Sequence, residues 1–104
     1  MDALIINAVA FRQDGMWVAQ CLEYNFVSFS KTEEELPRIL MRQILAQIEI
    51  DSGDGHEPFF EFEPAPAKYW EWFERARRQS EPILERSAIS PLQRVETQLF
   101  PVAA

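Results

Sequence analysis

A chain of 104 residues with 47% hydrophobic and 26% charged side chains is apolar enough to fold and too short for two independent cores, so one domain is expected. Its formal charge of -7, from 17 acidic and 10 basic residues, disfavours a surface built to neutralise nucleic-acid phosphates and suits a basic partner better. No run of about 18 apolar residues supports a helical membrane span, and a single cysteine cannot build an intramolecular disulfide framework.

The opening MDALIINAVAF has an acid where a signal peptide would carry positive charge and lacks a cleavage pattern after it. It reads as a first strand, Leu4 to Phe11, and together with the lone cysteine it makes the cytoplasm the expected compartment. Turn chemistry in RQDG (Arg12 to Gly15) and a second apolar run, Met16 to Leu22, complete a β-hairpin. In that second run Trp17, Ala19 and Cys21 share one face, and Met16, Val18, Gln20 and Leu22 share the other. A short third strand is expected over Asn25 to Ser30.

The period then becomes helical. Leu36, Ile39, Leu40, Ile44 and Ile48 fall on one stripe, and the acids Glu33, Glu34 and Glu35 suit a first helical turn. Thr32 and Glu35 have capping-box spacing, whereas Pro37 favours a start at the proline itself. After DSGDG, the stretch PFFEFEP alternates like a fourth edge strand. Pro66 opens a second helix carrying Tyr69, Trp70, Phe73 and Arg77 with Ala76 on one side and Trp72 on another, with Arg75, Arg77 and Arg78 at its end. From Ser80 onward, Pro82, Pro91 and Pro101 predict an irregular arm. The resulting expectation is an α+β fold: residues 1–64 as a small antiparallel sheet of three or four strands with one long helix, and residues 65–104 as a helix and arm of the same globular unit. Charge is divided along the same line, residues 1–64 carrying 12 acids against 4 bases and residues 65–104 carrying 5 against 6.

Cysteine chemistry is the first function to weigh. A nucleophilic thiol needs a helix N-terminus, a cation or a positioned histidine to lower its pKa, and Cys21 between Gln20 and Leu22 in a strand is offered none of these. A buried, inert cysteine is expected. His56, the only histidine, sits in DSGDGHE, which has neither calcium-loop nor paired-histidine spacing, so a polar turn is expected and no metal or other cofactor. Tyr69, Trp70, Trp72 and Phe73 with Lys68 and the following arginines could be drawn as a base-stacking platform, but residues 69, 70 and 73 fit a packing face, which leaves Trp72 as an exposed contact.

The order of first strand, DG, WVAQCLEYNF, short strand, SKTEEEL and long helix resembles the N-terminal domain of HicB-like antitoxins, over about Ile5 to Ile50. That resemblance implies a small sheet with one packed helix, a dimer or larger homo-oligomer, and in some members an acidic antitoxin that masks a small basic RNA-cleaving toxin. The ending PAPAKYWEWFERAR is similar to that of short stand-alone members, and residues 65–104 look like neither a helix-turn-helix nor a ribbon-helix-helix, so operator DNA binding is not expected. Two functions follow. One is a non-catalytic partner-binding module using Glu33 and Glu34 or the aromatic set Tyr69, Trp70, Trp72 and Phe73; the other is a free-standing structural or regulatory homo-oligomer without a toxin.

Overall fold

In the computed structural model, which describes residues 2–90 and 93–102, the first two strands are β1 (Asp2–Gln13) and β2 (Met16–Cys21). They meet across the tightest hairpin possible, with Gln13 opposite Met16. Asp14 and Gly15 take φ of 52° and 79°, the pair of left-handed residues that a two-residue turn of this twist demands and that Asp-Gly supplies at low cost. β2 then pairs antiparallel with β3 (Val27–Ser30). Gln20, buried on an otherwise apolar strand, is satisfied by donating Nε2 to the Cys21 carbonyl and to Asn25 Oδ1.

Both of the competing signals at the first helix are real. Thr32 Oγ1 accepts from the Glu35 amide at 3.3 Å, but the segment 33–35 forms a turn, and α1 (Leu36–Gly53) starts with Pro37 in its first positions. The three glutamates therefore precede the helix instead of forming its first turn. Leu36, Leu40, Met41, Ile44 and Ile48 lie along its buried face.

The expected strand at PFFEFEP does not form. Phe59 takes a left-handed φ of 60°, and the Asp51 carboxylate, buried at the end of α1, accepts from the Phe59 amide at 2.7 Å while Gln47 Nε2 donates to its other oxygen. That bond turns the chain, so Phe59 is buried and Phe60 is exposed. Phe59 stacks on Tyr24 with ring centroids 4.6 Å apart and meets Phe26 and Phe62 edge-on.

The second helix, α2 (Ala67–Gln79), follows Pro66 as the sequence predicts. The region expected to be an arm is instead a second hairpin, β4 (Ile83–Ser90) and β5 (Gln93–Pro101), and β5 inserts beside β1 in parallel. The prolines bracket the strands without interrupting them: Pro82 precedes β4, Pro101 closes β5, and Pro91 lies outside the described residues. One five-stranded mixed sheet results, in the order β3-β2-β1-β5-β4, so the α+β class holds while the sheet is larger than expected and carries one parallel pair.

The helices cover opposite faces. On the α1 side, Ile6, Ala8, Ala19, Cys21, Val95 and Leu99 pack against Leu40 and Ile44; on the α2 side, Val9, Leu22 and Phe100 pack against Phe73 and Ala76. Thr97 is fully buried with its hydroxyl unpartnered. Replacing a buried hydroxyl that makes no hydrogen bond by an apolar group of the same shape recovers its desolvation cost. Thr97→Val is therefore expected to stabilise the fold by about 1 kcal/mol, read as an upward shift of the denaturant midpoint; a midpoint that falls would show that the hydroxyl has a partner.

Candidate functional site

The two residues that invite catalysis are kept apart. Cys21 is 1% exposed in the α1-side core, and burial, with the nearby Glu23 carboxylate adding to it, pushes its thiol up from 9.0 to about 12. His56 stands exposed after α1 with its ring stacked on Phe60 at 3.9 Å. A thiol shifted upward is protonated, and a poor nucleophile, throughout the physiological range.

The shift has a testable consequence. Because the thiol is held protonated more firmly in the folded chain, its contribution to stability is full below 9.0 and is lost as pH climbs towards about 12. Over that window the loss approaches about 1.4 kcal/mol per pH unit. Comparing the pH dependence of wild type with Cys21→Ala isolates the contribution of the thiol. The wild type is expected to lose stability more steeply than the variant, and its thiol to react in native buffer far more slowly than in denaturant. Identical pH slopes, or equal labelling rates, would show the thiol to be accessible.

Among the described residues, no group of three or more His, Cys, Asp or Glu side chains is placed to hold a metal ion, and no helix is long and apolar enough to cross a membrane. Asp51, the one buried carboxylate of the DSGDGHE turn, is committed to Phe59 and Gln47.

What the structure does assemble is a surface of unpaired carboxylates. Only Glu74 with Arg77 and Glu96 with Arg86 form ion pairs among the described residues. The Arg86 and Gln98 side chains lower the Glu96 pKa chiefly through hydrogen bonds, Gln98 first. Glu33 and Glu34 are exposed on the turn before α1 with neither in an ion pair. From Gln43 to Ala67 the chain has six carboxylates, Glu49, Asp51, Asp54, Glu57, Glu61 and Glu63, and no Lys or Arg.

The aromatic residues of α2 divide differently from their expected pattern. Phe73 is buried and meets Phe100 edge-on at 5.1 Å. Trp72 is half-buried: its ring meets Phe11 and Tyr69 edge-on, both at 5.1 Å, so it belongs to the seam with β1 and is not the outlying contact that the helical pattern predicts. Lys68 lies over the Tyr69 ring at 4.9 Å. Trp70, half-buried, lines a shallow groove of about 520 Å³ with Glu71, Glu74, Arg75, Arg78 and Gln79, where charges of both signs alternate.

A second cleft, of about 550 Å³, lies between the C-terminal half of α1 and the far end of β4. The helical stripe gives its α1 side, but its β4 side was hidden in the sequence by the proline-bracketed reading of residues 80–104. The alternation of Val95, Thr97 and Leu99 was the signal that could have revealed that hairpin. Comparison with known proteins finds no matching family model, no similar curated protein and no similar solved structure.

Proposed function

We propose that this chain is a non-catalytic protein-binding module of the HicB-like antitoxin kind, whose acidic surface masks a small basic partner such as an RNA-cleaving toxin. The observation that carries the reading is the excess of acids over bases, 17 against 10, with two ion pairs formed among the described residues. Such a field steers a cationic protein into encounter and repels nucleic acid. The inert, buried Cys21 is consistent with the same reading, since it removes the chain's one strong nucleophile from solvent. Glu33 and Glu34 supply part of the field, and the half-buried edges of Tyr69, Trp70 and Trp72 supply contact area beside it. Phe73 contributes by holding α2 to the sheet, since its own ring is covered. Binding to DNA or RNA is expected to be weak and strongly dependent on salt.

The test pairs this chain with a small basic protein encoded beside it. Expression of that protein alone is expected to arrest growth, co-expression to relieve the arrest, and the two chains to elute as one complex. Lack of any such neighbour, or an arrest that persists on co-expression, would sink the proposal.

A free-standing homo-oligomer is the second reading, favoured by β4. This edge strand is paired on one side only, and Leu84 on it and Ile5 on β1 remain 42% and 47% exposed where α2 does not reach. Sedimentation at micromolar concentration is expected to give at least twice the 12.1 kDa chain mass, and a monomer there would remove this reading.

A further inference from the structure

The cleft between α1 and β4 combines three properties. Its walls are apolar: Leu45 and Ile48 from the helix, Ala88 and Ile89 from the strand. Ile89 sits where the β4 and β5 registers slip between Ala88 and Ser90, and it is left 42% exposed at the rim. The polar lining comes from Glu49 and Ser52, and Glu49 has no ion-pair partner among the described residues. The chain running through and beyond this wall has five exposed carboxylates, Glu49, Asp54, Glu57, Glu61 and Glu63, and no Lys or Arg from residue 43 to residue 67. The α2 groove of similar size differs in this respect, since Arg75 and Arg78 share it with Glu71 and Glu74.

We infer that this cleft is a docking groove for a cationic amphipathic segment of another protein, an inference that rests on the proposed role as a binder of basic partners and assigns it a place. The charge complementarity selects the occupant. An open apolar trough with one unpaired carboxylate, Glu49, in its lining fits a segment that lays one apolar row against Leu45, Ile48 and Ile89 and carries Lys or Arg alongside to meet Glu49. A second copy of this chain would bring a net charge of -7 towards Glu49 and the acidic stretch that follows it. An uncharged apolar molecule would leave the carboxylate unanswered.

The probe is a fluorescein-labelled peptide of leucine and lysine, about four turns long when helical, with leucines at i, i+3, i+4 and i+7 spacing. A scrambled peptide of the same composition is its control, and binding is read by fluorescence anisotropy at about 0.15 M ionic strength. The ordered peptide is expected to bind at least about tenfold more tightly than the scrambled one. Ile89→Arg, which places a long cationic side chain at the exposed edge of the trough, and Glu49→Lys are each expected to weaken it by about tenfold. Glu33→Lys with Glu34→Lys, a surface control, is expected to change it by less than about threefold. If one groove variant fails to show the wild-type melting transition, Ile89→Asn at its exposed position replaces it and carries the same expectation. Equal binding of ordered and scrambled peptides, or an equal loss from the Glu33 and Glu34 control, would overturn the groove and leave the acidic partner-binding reading standing. Self-association of the wild type that Ile89→Arg abolishes would assign the groove to a second copy and also overturn the inference. Failure of both peptides to bind even at about 0.01 M ionic strength, where the Debye length is about 30 Å, would overturn the groove and the binding role together.

Discussion

Phe59→Ala is expected to lower the unfolding free energy by about 3–5 kcal/mol, the range for deleting a buried aromatic ring whose neighbours cannot collapse into its place. Phe59 is 2% exposed, and its ring is in contact with those of Tyr24, Phe26 and Phe62, which fasten the segment after α1 to the segment between β2 and β3. The ring is held there by a backbone conformation that costs energy by itself, since a bulky residue at φ of 60° is disfavoured. Asp51 supplies the compensation through its charge-assisted bond from the Phe59 amide. Asp51→Ala is accordingly expected to cost about 1.5–3 kcal/mol, whereas Phe60→Ala, one residue on and 47% exposed, should stay within about 0.5 kcal/mol. Chemical denaturation of the three variants checks the order. A Phe60→Ala cost equal to that of Phe59→Ala would show that the turn is not built as described.

This corner also shows where sequence reasoning stops. Pattern alone located the hairpin at Asp14-Gly15, the stripe of α1 and the start of α2 after Pro66, because each is fixed by local chemistry or by a short period. Alternation in PFFEFEP looked like a strand because the signal that bends it, a carboxylate eight residues earlier, leaves no trace in local periodicity. Residues 80–104 hide their strands for the opposite reason: Pro82 and Pro101 are strong local signals, yet one precedes β4 and the other ends β5, where proline is tolerated. At the candidate site, the acidic excess and the burial of Cys21 were legible from composition and strand placement. The seating of Trp72 depended on Phe11 meeting it across the sheet, and the groove on α1 depended on β4 arriving from the far end of the chain. Both are long-range pairings that no window of sequence contains.

Removing the C-terminal hairpin should therefore abolish the fold, a result that the arm reading would not predict. Strand β5 lies inside the sheet with β1 on one side and β4 on the other, and its register runs alongside β1 from Asp2 opposite Gln93 to Ala10 opposite Pro101. Val95 and Leu99 are fully buried against α1, and Phe100 meets Phe73 of α2, so the strand closes both layers of the core. A chain ending at Ser80 leaves the β1 edge unpaired and Ile6, Ala8 and Val9 without a neighbour across it. Unpaired backbone groups and bared apolar surface on the central strand of so small a domain exceed the few kcal/mol by which such domains are stable. The truncated chain is expected to lack a cooperative melting transition and native amide protection in β1. Leu99→Ala in the full chain, which keeps the strand and deletes only buried methyl groups, is expected to remain folded and to lose about 2–5 kcal/mol. A truncated chain that melts cooperatively, with β1 amides protected as in the full protein, would return residues 81–104 to the status of an appendage.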